Sequence, residues 1–527
     1  MYWLGDQGVI ITLPSLVCLF VILSTFIINI LRKQWWTPTR LQNLMALQGI
    51  KGPSYRLIHG NTKEVSNMKK KRSSSTASCT PYTTLFSHNT FSQVQPHIQS
   101  WTKTYGKNYL QWNGRQPQLV ITEPELCKEI LENRDGVFLK PMPPSNIMKL
   151  KGEGLPRSVG PKWEKLRKLA NHAYHGESLK SMTPAMIVST ETMLERWGYY
   201  EGKEIDVFEE FKLLTSEVLS RTAFGSSYLE GLSNFEKTIK LFSYMYKSSF
   251  KLRLPGISKI FKTSDEVKSE KLEKEICETL LDIVKKREKK AMTTGGEDNN
   301  FGSDLFGFLL KTCHDSSDKN RISLEDLVNE CKTFCFAGQE TLSLLTWTIF
   351  LLALHTDWQE EARKEVLEVF GKQAPNPNDI FKLKTMSMII NESLRLYPPL
   401  LSLVRKVDKE VRVGNLIVPA DVELLIPNLA FHHEPQLWGQ NVQLFKPERF
   451  SKGVAEATRN NRAAFLPFGM GSRTCVGFNF ATTEAKIVVS MILQRHTITI
   501  SPTYVHSPRD FITVQPEHGV QVVLHSL

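Results

Sequence analysis

The chain has 527 residues and a formal net charge of +12, and 41% of it is apolar, with 28 phenylalanines and ten tryptophans. That composition supports a large core and excludes a disordered chain. Eight cysteines without a framework spacing exclude a disulfide scaffold and suit a reducing compartment. The basic balance admits nucleic acid, an anionic membrane or an acidic protein partner. No zinc-ligand spacing or nucleic-acid motif accompanies it, so a membrane or a protein partner is expected, and no nucleic acid.

Val9 to Leu31 is apolar and uncharged, long enough to cross a bilayer of roughly 30 Å as a helix. The run is too long, and its C-terminal flank too bulky, for a cleaved signal peptide. Arg32, Lys33 and Arg40 come after it and only Asp6 precedes it, so the bulk of the chain is expected on the cytosolic side of a single-pass anchor. Trp35 and Trp36 suit the interface. The expected organisation is an anchor over residues 1–35, a hinge over 36–60 and one catalytic unit over 61–527. Lys69 to Pro81, basic and then rich in Ser and Thr, reads as a solvated loop.

His97 to Tyr105 reads as a short helix, Tyr109–Trp112 and Gln118–Ile121 as a hairpin around Asn113-Gly114, and Pro124 to Asn133 as the next helix. Residues 140–159 carry no clear period. Trp163 and Arg167, four apart, share a helix face. Thr190 to Lys290 is mostly helical in pattern, with a break at Pro255-Gly256, and Met292 to Ser303 reads as a connector.

Ser323, with Asp326 three residues on, opens a long helical pattern in the manner of a capping box. Running to about His355, this helix is roughly 48 Å long, enough to cross a domain. Inside it lies Ala337-Gly338-Gln-Glu340-Thr341. A mid-helix glycine costs about 1 kcal/mol relative to alanine, and close approach of a flat cofactor is one reason to keep it. A buried glutamate paired with an arginine is the other reading of this run. Cys331 and Cys335, four apart, read as packed helix residues.

Glu392 and Arg395 stand at helical i,i+3 spacing, and Pro447-Glu448-Arg449-Phe450 comes later in the chain. Val411–Val413, Val422–Ile426, Thr497–Ile500 and Gly519–Leu524 read as strands. His432 and His433 read as solvated loop histidines, poor rivals to a cysteine as metal ligands. Between Phe468 and Gly477 a glycine-rich loop holds Cys475, and a helical pattern runs from Phe478 to Arg495. A cysteine just ahead of a helix N-terminus is expected to favour its thiolate, since free N–H groups and the helix dipole stabilise negative charge. Such a thiolate is a suitable axial ligand for haem iron.

This run resembles the haem-binding loop of the cytochrome P-450 superfamily, Phe-x-x-Gly-x-Arg-x-Cys-x-Gly, through Phe468, Gly471, Arg473, Cys475 and Gly477, continued by Phe480, Ala481 and Glu484. The other motifs, Trp163-x-x-x-Arg167, Ala337 to Thr341, Glu392-x-x-Arg395 and Pro447 to Phe450, match the family's in the same order. The resemblance implies a mainly α fold with a small β-rich lobe, after one transmembrane helix. It implies haem b with Cys475 as axial ligand to iron, Trp163 and Arg167 at a propionate, and Arg473 in the same loop. It implies a dioxygen notch at Gly338, proton delivery by Glu340 and Thr341, and a buried network of Glu392, Arg395 and Arg449.

Residues 140–159, Leu400 to Val404, and the tip Phe511-Ile512 would contact substrate. NADPH would act through a partner flavoprotein reductase, at the endoplasmic reticulum. The overall resemblance is to plant microsomal members of the non-A-type clan, which oxidise terpenoids and brassinosteroid- and gibberellin-type hormones. The implied reaction is monooxygenation of an apolar small molecule. The alternatives are a haem-thiolate isomerase or dehydratase acting without O2, which the pair Glu340-Thr341 opposes, and a non-catalytic haem-binding protein.

Overall fold

The computed structural model describes residues 13–76, 87–142, 152–225, 228–249, 263–293, 301–315 except 303, 321–511 except 339, and 513–527. The break expected at Pro255-Gly256, most of the connector after Met292, residues 143–151 and Ile512 lie outside them.

The apolar helix Leu13–Leu31 continues through a π-turn, Arg32–Trp36, into Thr37–Leu47. The span Val17–Leu47 is long and apolar enough to cross a membrane, and none of its apolar window is buried against protein. The first part of the expected hinge is therefore helical. The chain leaves the helix at Gly49, whose φ of +82° suits glycine. A second correction concerns Lys69 to Pro81. Thr62–Thr76 is a helix, docked by Lys69 Nζ on Asp510 Oδ2 at 2.7 Å and by Arg72 Nη2 on Ser92 Oγ at 3.2 Å. Residues 77–81 fall outside the described set.

The helix-rich core is built round two runs, Leu324–Gly338 and Glu340–Leu354. The capping box forms: Ser323 N–H donates to Asp326 Oδ2 at 3.2 Å and Asp326 N–H to Ser323 Oγ at 3.0 Å. Every side chain from Thr341 to Leu354 is buried. A helix apolar on all sides belongs in the middle of a large core, and this run, though long and apolar enough to cross a membrane, is buried inside the protein. Gly160–Ala173, Val207–Phe224, Lys384–Leu396 and Phe478–Leu493 are among the helices that complete this core.

The β-rich lobe has its own core, which includes Leu110, Trp112, Leu119, Leu424 and Ile426. Its sheet runs Asn108–Asn113, Gln116–Ile121, Glu423–Pro427, Ser402–Val407 and Phe138–Leu139 in that order. The hairpin turns at Gly114, φ +58°. Glu204–Asp206, Gln521–Ser526 and His496–Ile500 form a three-stranded sheet. Pro508–Phe511 pairs antiparallel with Thr513–Pro516.

Candidate active site

The cysteine loop is held by its own backbone. Cys475 N–H donates to Phe468 O at 2.8 Å, Thr474 N–H to Gly471 O at 3.1 Å, and Ala481 N–H to Gly477 O at 2.9 Å. Gly471 sits at φ +76°, and a Cβ there would lie 2.1 Å from Leu131 O, so backbone packing demands glycine. At Gly477 a Cβ would meet no protein atom within 4 Å. Phe468 meets Phe478 edge-on, centroids 5.9 Å apart.

Cys475 is open on one side, yet enough protein surrounds it for desolvation to lead the balance on its thiol. Burial raises the pKa, the Gly477 N–H and Arg167 lower it, and Glu340 raises it; the net shift is upward. This corrects the expectation of a thiolate favoured by the helix N-terminus alone, because the dipole is outweighed by lost solvation. A bound metal cation reverses such a balance and deprotonates the thiol. The donor set therefore fits a thiolate-ligated iron.

Several cations stand around the loop. Arg167 Nη1 donates to Thr474 O at 2.5 Å. Arg473 Nη1 donates to Ser158 O at 3.0 Å, and its guanidinium lies 4.3 Å from the centre of the Trp163 ring, a cation–π contact. Burial, then Arg405 and Arg167, push Arg473 down to about 10. Lys140 is pushed down to about 7 by burial and by Arg405, Arg473 and Arg157. Leu139 pairs with Lys406 across the sheet, so Lys140 extends that ladder toward Arg405, which is buried. Like charges crowded in this way repel, and a cofactor bearing two carboxylates fits among them. Sequence reading missed Lys140, Arg157 and Arg405, which carry no local pattern.

On the long helix, Glu340 Oε2 is enclosed and accepts no hydrogen bond. Burial pushes this carboxyl up to about 8, against a smaller lowering by the Thr513 hydroxyl. Thr341 is buried nearby, beside Glu484 of the helix after the cysteine loop. Glu484 is fully buried, neither oxygen has a hydrogen-bond partner, and burial pushes it up to about 8, with the Thr341 hydroxyl lowering it. Both carboxyls hold a proton at neutral pH. At Gly338 a Cβ would lie 2.2 Å from Leu219 Cδ2, so the glycine admits a side chain from Val207–Phe224.

Glu392, Arg395 and Arg449 come together as one network. Arg395 Nε and Nη2 reach the two Glu392 oxygens at 2.7 and 2.8 Å, with both residues fully buried. Arg395 Nη1 donates to His432 O and Val442 O, while Arg449 Nε reaches Glu392 Oε1 at 3.4 Å. His432 and His433 are buried, not solvated. His432 Nε2 accepts the Leu466 N–H at 2.8 Å and so ties the network to the chain entering the cysteine loop. Cys331 and Cys335 are free and buried in the helix.

The cytochrome P450 family model matches residues 81–523. A P450, CYP749A22 of Panax ginseng, is 52% identical over 98% of this chain and 97% of its own length. Cytochrome P450 734A1 of Arabidopsis thaliana is 37% identical over 98% and 97%, and 11-oxo-beta-amyrin 30-oxidase of Glycyrrhiza uralensis 38% over 97% and 98%. This chain belongs to the cytochrome P450 family. It is a haem-thiolate monooxygenase by class, and that family implies haem iron held by a cysteine thiolate.

Proposed function

We propose that this protein hydroxylates a largely apolar small molecule of terpenoid or steroid-like kind, with O2 and with electrons passed from NADPH by a partner flavoprotein reductase. The observation that carries the reading is the meeting of Cys475, Arg167 and Glu340 in one charge balance, with Thr341 and Glu484 alongside. A relative named for oxidising 11-oxo-beta-amyrin, similar along nearly its whole length, supports a polycyclic apolar substrate.

Cys475 would be the axial ligand. Trp163, Arg167 and Arg473 would hold the haem carboxylates, with Arg405, Arg157 and Lys140 around them. When bound, the haem supplies the oxygen-activating chemistry. Glu340 holds a proton at Oε2 because burial disfavours its charge, and a carboxyl near 8 can both give and regain protons at neutral pH. The Thr341 hydroxyl donates and accepts at one atom, so it can pass a proton between that carboxyl and a neighbour.

Gly152 and Gly154 pack against Asn329 and Thr333 so closely that a Cβ on either would lie about 2 Å from their side-chain oxygens. Leu155 N–H donates to Glu330 Oε1 at 2.6 Å. This loop and the long helix enclose a recess lined by Gly152, Gly154, Pro156, Arg157, Lys332, Thr333 and Phe336, which suits one end of an apolar substrate. The apolar helix and the cations after it support a location in the endoplasmic reticulum membrane, catalytic side to the cytosol.

The test is a microsomal incubation with a plant reductase and NADPH under oxygen-18 gas, against terpenoid and hormone extracts. A labelled, reductase-dependent product that disappears in Cys475→Ala supports the proposal. NADPH-independent turnover of a hydroperoxide, with no labelled product, would contradict it.

A further inference from the structure

Away from these groups the core contains a line of oxidisable and proton-accepting side chains that the proposed reaction does not use. Trp347 lies on the same helical run as Thr341, six residues on and so roughly 9 Å along the axis. Its indole stacks on Tyr397, centroids 4.2 Å apart and planes 8° from parallel. The Tyr397 hydroxyl is 2.9 Å from His88 Nδ1 and 3.4 Å from His506 Nε2. The Tyr504 hydroxyl is 2.8 Å from His506 Nδ1. Trp347 and Tyr397 are buried and Tyr504 is half-buried, so the line runs from the core towards the surface. At its inner end Trp347 Nε1 donates to Val514 O, next to Thr513, whose hydroxyl bears on Glu340.

Two opposite assignments of protons satisfy every contact, and the relay uses the one in which each tyrosine donates to a histidine Nδ1. Tyr504 OH donates to His506 Nδ1, His506 Nε2–H donates to Tyr397 O, and Tyr397 OH donates to His88 Nδ1. Burial holds both imidazoles neutral. Indole and phenol are the most readily oxidised ring side chains. A phenol loses an electron more easily when its proton has an acceptor within hydrogen-bond reach.

We propose that Trp347, Tyr397, His506 and Tyr504 form a one-electron relay that drains oxidising equivalents from the active site when no substrate is hydroxylated. This rests on the haem-thiolate reading above. Trp347 first gives one electron to the oxidised site. Tyr397 then returns one electron to Trp347 while its phenolic proton moves to His88 Nδ1. Tyr504 reduces Tyr397 in turn: its electron restores the phenoxyl, its own proton passes to His506 Nδ1, and Tyr397 regains its proton from His88. A soluble one-electron donor such as ascorbate re-reduces the half-buried Tyr504, and His506 returns the proton. Simple core packing would explain the ring stack but not the continuous hydrogen-bond line from Tyr397 through His506 to Tyr504.

The experiment uses the full-length haem-loaded protein, mixed with hydrogen peroxide without substrate and freeze-quenched for electron paramagnetic resonance. The expected result is a tyrosyl radical whose hyperfine pattern changes with ring-deuterated tyrosine and which is lost in Tyr397→Phe. That variant keeps the ring stack and removes only the hydroxyl. Tyr397→Phe and Tyr504→Phe, with the thiolate carbon monoxide band intact, should bleach several-fold faster per peroxide consumed, and ascorbate should protect wild type alone. No tyrosyl signal in a protein with the thiolate band, or bleaching of both variants at the wild-type rate, would overturn the relay. Absence of that band in wild type would overturn the reading of the site itself, and the relay with it.

Discussion

Two charged regions of the core are built on opposite terms. In the network of Glu392, Arg395 and Arg449, both Glu392 oxygens are engaged, and Arg395 reaches backbone carbonyls on the segment from His432 to Leu444. Around Cys475, by contrast, Glu340 and Glu484 keep unpartnered oxygens, Lys140 and Arg473 are depressed by burial and like charge, and the thiol is raised by burial. A satisfied buried network specifies a fold. An unsatisfied one stores unfavourable electrostatics that a cofactor, a metal or a moving proton relieves. Under the proposed function, the contrast separates residues that build the site from residues that would work in it.

The largest effect is expected where satisfaction is complete. Arg395→Ala leaves the buried Glu392 carboxylate with only the more distant Arg449 as a counter-charge and should cost about 3–5 kcal/mol. Arg395→Lys should also fail, because one ammonium cannot replace a fork that reaches a carboxylate and three carbonyls. Urea unfolding checks both; a loss under about 1 kcal/mol in Arg395→Ala would remove the distinction.

The two loop glycines sharpen it. Gly471→Ala combines a left-handed φ with a collision at Leu131 O and should cost about 1–3 kcal/mol. Gly477→Ala meets no protein atom and has φ −90°, so the polypeptide should lose less than about 0.5 kcal/mol. Its defect should appear instead as faster haem loss, measured by transfer to apomyoglobin. Equal stability losses in both variants would show that the loop is held only by protein contacts.

The pH dependence is a subtler test. Glu484 has its folded pKa raised to about 8, so the folded state binds its proton more tightly than the unfolded state. The stability linked to it is complete below the ordinary glutamate range and falls as pH rises through about 8. Glu340 adds a decline of the same sign. Glu484→Gln should flatten part of that decline and exceed wild type in stability at alkaline pH. An unchanged slope in denaturant midpoints from pH 6 to 9 would mean that Glu484 is ionised in the fold.

The features legible in the sequence are those that depend on near neighbours. Ser323 and Asp326 announce their capping box, Asn113-Gly114 its turn, and Phe468 to Gly477 a loop whose spacing is its geometry. Contacts between distant segments leave no such trace. Leu219 fills the space at Gly338, His432 reaches Leu466, and Lys140 crowds Arg405, each through partners far away in the chain. The Thr62–Thr76 helix escapes a reading by pattern because its Lys- and Ser-rich run has almost no apolar face; it is fixed in part by the tie of Lys69 to Asp510.

The central claim is that Cys475 becomes a thiolate by binding haem iron, against the tendency of the polypeptide alone. The most direct measurement is the reduced carbon monoxide difference spectrum of the purified full-length protein, wild type beside Cys475→Ala. The far red-shifted thiolate band is expected in wild type and its loss in the variant, with helical circular dichroism retained. A wild-type spectrum without that band, or a variant that keeps it, would contradict the account.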